Sequence, residues 1–167
     1  KKFQNRNYVG CPLNTVRIFC EKKADEIIIT DFNAHKKNIN YDYLSKIRNI
    51  ANVPLLYGGG IRNFEQVKKI FDLGYERIIL NSIFFQNPKI LDEVVKVYGE
   101  QSILINFDIK KIKNDFKIYT NNGRRQINRK LDDFLLFINS NYKNIEIIIN
   151  FFENEGSYKI QNKIDIE

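Results

Sequence analysis

Short apolar runs alternate along the chain with longer segments in which apolar positions recur every three or four residues. The short runs lie at Glu26 to Asp31, Pro54 to Tyr57, Arg77 to Asn81, Ile103 to Asp108 and Glu146 to Phe151, each dominated by Ile, Leu, Val or Phe. Strands of this near-continuous apolar kind are covered on both faces, as in a parallel sheet. Between them, Phe64, Val67, Ile70 and Phe71 share one helical face, as do Ile90, Leu91, Val94 and Val97, and Leu131, Phe134, Leu135 and Ile138. Thr15 to Lys22 predicts a helix ahead of the first strand. Asn63 before Phe64 and Asn87 before Pro88 read as N-caps, and Gly74 and Gly99 as helix stops. This is the order of βα units feeding a parallel sheet.

Lys110 to Tyr119 breaks the alternation, because Asp115 is followed by a short run, Phe116 to Thr120, and then by Asn122-Gly123. Residues 110–128 therefore predict a hairpin excursion inside one domain spanning residues 1–167. The pattern yields five strands and about five helices, whereas a closed (β/α)8 barrel takes about 250 residues. An incomplete barrel short of about three strands and an open doubly wound sheet fit the periodicity equally well.

Composition narrows the setting. A chain of 167 residues, 43% hydrophobic with 13 Phe and 9 Tyr, can bury a sizeable core. No stretch reaches the roughly 18 uncharged apolar residues of a membrane helix, and no leader pattern opens the chain. A cytoplasmic location without a membrane partner is therefore expected. Residue 1 is Lys and Met is absent, so the natural start is expected upstream. Cys11 and Cys20 have no histidine spaced to complete a metal site, so reduced thiols and no metal or other cofactor are expected. The net charge of +7 is scattered along the chain without an aromatic-and-basic motif. It reads as a solvated surface that suits an anionic substrate, with no nucleic-acid partner.

Candidate chemistry collects at strand ends. Gly58-Gly59-Gly60 follows a strand and precedes the helix that starts near Asn63, so its amides can approach an anion closely. The plainer alternative is a tight turn needing positive φ. Asn81 and Ser82 end the next strand at its carboxyl side, where parallel α/β folds build their sites, although both residue types also cap turns. Asp31 and Asp108 close apolar strands at the same side, as general acid or base candidates or as acceptors for loop amides. At the opposite ends stand Glu26, Arg77 and Glu146. Alternation puts Arg77 on one face with Ile79 and Asn81, and Glu146 with Ile148 and Asn150. If that face is a barrel interior, opposite charges meet on its floor; otherwise they are solvated charges at strand starts. His35, the lone histidine, reads as a surface loop residue.

Four segments in order carry a resemblance: Asp25 to Asp31, Pro54 to Ile61, Asn81-Ser82 with Asn87-Pro88, and Gly99-Glu-Gln-Ser102 to Asp108. The series resembles the cyclase subunit of imidazole glycerol phosphate synthase. The opening Tyr8 to Pro12, with Val16 to Phe19, looks most like the branch linked to amidation of surface-polysaccharide sugars. The likeness runs over nearly all of residues 8–157. It implies a (β/α)8 TIM barrel, represented here by the second to sixth strands. It also implies a lyase of the glutamine amidotransferase class that pairs as a heterodimer with a glutaminase subunit and uses its ammonia on a phosphorylated small molecule. Histidine biosynthesis and sugar amidation are both open on these residues. Asp108 matches the family's acid/base aspartate and Asp31 an active-site aspartate. Gly59, Gly60, Asn81 and Ser82 match one phosphate site, and Gly156 and Ser157 part of a second. Glu26, Arg77 and Glu146 match the charged gate at the ammonia entrance. In the family the first strand would precede Lys1 and the last two would follow Glu167. The chain also departs at Arg77 (usually Lys), Glu155-Gly156-Ser157 (usually Asp-Gly-Thr), His35 (usually Ser) and Cys11 (usually Asp). The competing expectation is a noncatalytic truncated barrel acting as a phosphate-binding or partner-binding scaffold.

Overall fold

The computed structural model describes residues 10–153 apart from residues 35 and 114. Helix α1 (Pro12–Glu21) opens with proline at its first position, where the missing N–H costs nothing. Strand β1 (Ile27–Thr30) leads to α2 (Tyr41–Arg48), whose cap Asn40 accepts a hydrogen bond from Tyr43 N at 3.0 Å. Strand β2 (Leu55–Gly58) leads to α3 (Phe64–Asp72), capped by Asn63 through Gln66 N at 3.0 Å. After β3 (Arg77–Leu80) come the short α4 (Ser82–Gln86) and α5 (Ile90–Tyr98). Strand β4 (Ile103–Ile112) is followed by β5 (Asp115–Thr120), β6 (Arg125–Ile127), α6 (Leu131–Asn141) and β7 (Glu146–Phe151).

Strands β1, β2, β3, β4 and β7 pair in parallel in that order, and β5 and β6 are antiparallel additions to β4. The sheet is an incomplete (β/α)8 barrel. Its curl is visible at Arg77 on β3, which touches carboxylates at the starts of β1 and β7, both two strands away. Strands lie about 4.8 Å apart, so one side chain reaches both only across a concave surface.

Alternation along the strands separates two environments. Ile78 and Leu80 are fully buried toward the helices, where they meet Val67, Ile70, Leu91 and Val94, while Arg77, Ile79 and Asn81 face the concave side. Phe84, Phe85, Phe107 and Phe134 pack edge-on or tilted with ring centroids 5.1–6.1 Å apart, sealing α4 and α6 against β4. Exposed Ile28 marks the concave face of β1.

Several boundaries differ from the sequence expectation. Strand β4 continues past Asp108 to Ile112 because β5 supplies hydrogen-bond partners from Asp108 onward. The hairpin strands β5 and β6 bring the described residues to seven strands where the sequence pattern predicts five. The helix expected to be capped by Asn87 starts instead at Ile90, because Asn87 O accepts Ile90 N at 3.2 Å and Pro88 lies in the preceding turn. Gly74 (φ 87°) and Gly99 (φ 82°) do end their helices. No described helix is long and apolar enough to cross a membrane.

Candidate functional site

A cavity of about 540 Å³ opens at the carboxyl ends of the parallel strands. Thr30 at the end of β1 and Asp31 just after it contribute, with Gly58 at the end of β2, Gly59 to Arg62 in the following loop, and Asn81 and Ser82 at the junction of β3 and α4. Asn106 and Asp108 on β4 and Ile148 to Asn150 on β7 complete the wall. Asn121 and Asn122 reach it from the hairpin. Residues 108 and 109 of β4 pair with β7 and with β5 at once, so β5 occupies the edge that β3 uses lower down. The hairpin thus rises beyond Leu80 and stands over the rim, where Ser82 Oγ lies 3.5 Å from Asn121 Oδ1.

Asp108 is the polar centre of the cavity, only 6% exposed. Its Oδ2 accepts from Asn81 Nδ2 at 2.9 Å, and its Oδ1 from Asn150 Nδ2 at 2.8 Å and Asn106 Nδ2 at 3.1 Å. Burial pushes the carboxyl above its ordinary range, and the three amide donors pull in the opposite direction.

Asp31 sits at the same rim but is tied into its own loop. Its Oδ1 accepts Asn33 N at 2.8 Å and Ala34 N at 3.1 Å, an Asx turn that shapes the segment after β1. The glycines pack directly on that segment. A Cβ on Gly59 (φ 128°) would lie 2.3 Å from Asp31 O, and one on Gly60 (φ 67°) 2.4 Å from Ala34 Cβ. Both properties that glycine offers, positive φ and close approach, are therefore in use here. Among the described residues no backbone carbonyl takes up the amides of Gly60 or Ile61. Turn and anion site are thus compatible in one loop.

At the opposite ends of the strands, Arg77 bonds Glu146 at 2.7 Å and Glu26 at 3.6 Å, and its Nε donates to Gln101 O at 2.9 Å. The geometry gathers Asp31, Gly59, Gly60, Asn81, Ser82 and Asp108 in the rim cavity and Glu26, Arg77 and Glu146 at the floor. His35, Gly156 and Ser157 lie outside the described residues. The sequence pattern puts Asn150 on this face without a role and Asn122 in a hairpin turn, and it gives no role to Asn106 or Asn121. The i, i+2 spacing of Asn106 and Asp108 was the available signal; the hairpin turn had none, since its placement is tertiary. Among the described residues no cluster of His, Cys, Asp and Glu could hold a metal.

The family model described as "Histidine biosynthesis protein" matches residues 1–162. Two relatives, from Leptospira interrogans and Vibrio vulnificus, carry the name "Putative imidazole glycerol phosphate synthase subunit", of HisF type. The first is 35% identical over 159 residues (93% of this chain) and the second 37% over 162 residues (95%). An imidazole glycerol phosphate synthase subunit HisF from Leptospira biflexa is 31% identical over 137 residues, 80% of this chain and 54% of that protein. The chain spans 62% of the length of the first two relatives.

Proposed function

Since the chain belongs to the histidine biosynthesis protein family, we propose that it is the cyclase-type part of an ammonia-using synthase acting on a phosphorylated small molecule. One observation carries the reading most: Asp108, buried and held by three amides, shares a cavity with the glycine turn after β2 and with Ser82. In this reading a phosphate group is held by the amides of the Gly59-Gly60 turn, by the Asn81-Ser82 segment and by the Ser82 hydroxyl. Asp108 then exchanges a proton with the reacting part of the substrate. Asp31 shapes the glycine loop and faces the same substrate. Gly156 and Ser157 would extend the phosphate-binding set.

Ammonia would come from a glutaminase subunit docked beneath the strand starts. Arg77, bridged to Glu26 and Glu146, would form the charged entrance to the interior. The names of the relatives favour the imidazole glycerol phosphate synthase reaction, whereas the Tyr8 to Pro12 opening favours amidation of a polysaccharide sugar. The setting in both cases is the cytoplasm.

Turnover separates these readings. Incubating the protein with the phosphorylated imidazole precursor and free ammonium should give product, and Asp108→Asn should lower the rate about 10²–10⁴-fold. No turnover, together with complex formation by a glutaminase of the sugar pathway, would move the assignment to sugar amidation. Phosphate-dependent thermal stabilisation with neither activity, unchanged in Asp108→Asn, would instead identify a noncatalytic scaffold.

A further inference from the structure

Basic residues are spread along the sequence, but their excess over acidic ones is local. Residues 110–130 hold 8 of the 27 Lys and Arg and only 1 of the 20 Asp and Glu. The rest of the chain balances at 19 of each, so the whole net charge of +7 belongs to this segment. The fold stands it over the rim, because β5 pairs with β4 from Asp108 onward and the turn after β5 brings Asn121 and Asn122 into the cavity wall. Lys110 and Lys117 oppose each other across the ladder and pair with Glu153 and Asp115 respectively. Arg129 lies over the Phe134 ring. Arg124, Arg125 and Lys130 are exposed and form no salt bridge among the described residues. The two arginines follow the turn at the edge of the cavity directly.

The cavity itself offers an approaching anion little long-range attraction. Among the described residues its lining holds one cation, Arg62, against two carboxylates, Asp31 and Asp108. Amides of the glycine turn can hold a phosphate at contact, whereas attraction at a distance follows the local balance of full charges. We propose that the β5–β6 hairpin is an electrostatic funnel, with Arg124, Arg125 and Lys130 as its principal cations, that draws phosphorylated ligands to the rim without touching the bound ligand. The inference rests on the phosphate reading above and names what sets the association rate of that site. Its range is sufficient. The six residues of β5 span about 20 Å, and charges act over about 30 Å at 0.01 M ionic strength but only about 3 Å at 1 M. Basic side chains on an edge strand also discourage pairing with other chains, and that role alone would leave ligand association unchanged.

Line-shape analysis of 31P spectra, with inorganic phosphate as the probe, gives association and dissociation rates together. At about 0.01 M salt the triple variant Arg124→Gln/Arg125→Gln/Lys130→Gln should lower the association rate at least about fivefold. Its dissociation rate should change less than about twofold. The triple variant Lys22→Gln/Lys96→Gln/Lys143→Gln removes the same charge from exposed positions near the strand starts. It should leave association within about twofold of the wild type. In about 1 M salt all three proteins should converge. An unchanged association rate in the hairpin variant, an equal effect of the two variants, or a change confined to dissociation overturns the funnel and leaves the phosphate site standing. Absence of phosphate binding by the wild type at either salt removes the phosphate site, and the funnel with it.

Discussion

Asp108 shows how two opposed effects act on one side chain. Desolvation raises its pKa, and three amide donors favour its charged form, with burial the larger cause. A carboxyl whose folded pKa lies above the ordinary value of 3.8 contributes stability that is fully present below that value and is lost as pH rises through the folded pKa. Urea denaturation of the wild type and Asp108→Asn across pH 4 to 7 should therefore show the wild type gaining relative to the variant as pH falls. A constant difference would mean that Asp108 titrates normally. The strand-end position of Asp108 was legible from the sequence because a polar residue closing an apolar run is conspicuous. The residues that tune it were less legible. Asn106 interrupts the same run at the i, i+2 position, but its meaning depends on Asn81 and Asn150 arriving from strands 25 and 44 residues away in the chain.

At the level of elements, the parallel strands were readable because apolar runs of β-branched residues are buried on one face by helices and, in part, on the other by the curl of the sheet. Helix α3 was equally clear, with its apolar stripe, its Asn63 cap and its Gly74 stop. Replacing that cap, Asn63→Ala, should cost about 1 kcal/mol in chemical denaturation, since Gln66 N loses its side-chain acceptor. Gln66 in turn accepts from Arg62 N at 2.7 Å, so the same change should disturb the segment that joins the glycine turn to the helix. Helices α2 and α4 were less visible for physical reasons. Helix α2 shows only a narrow buried stripe, Leu44 and Ile47, and α4 is five residues long, too short for a period to register. The extension of β4 was hidden because the Lys-rich sequence after Ile109 reads as solvent-facing until β5 pairs with it.

Across the whole molecule, the concave face carries two charge arrangements at its two ends. A polar cavity with one buried carboxylate lies at the carboxyl rim, and a guanidinium between two glutamates lies at the floor. Both glutamates are substantially solvent-exposed, so the floor cluster contributes modestly to stability. Arg77→Met should cost about 1 kcal/mol at low ionic strength, and denaturation repeated in molar salt should show a smaller loss as screening takes over. A cost of several kcal/mol, insensitive to salt, would mark the cluster as a structural keystone. The rim carries the functional claim, which is that a phosphate sits between the glycine turn and Ser82, beside Asp108. Titrating the 15N-labelled protein with inorganic phosphate and following backbone amide resonances reads that claim residue by residue. Gly60, Ile61 and Ser82 should shift together, saturably and more than amides at the strand starts. Shifts confined to other faces, or none at these three amides at saturating phosphate, would contradict it.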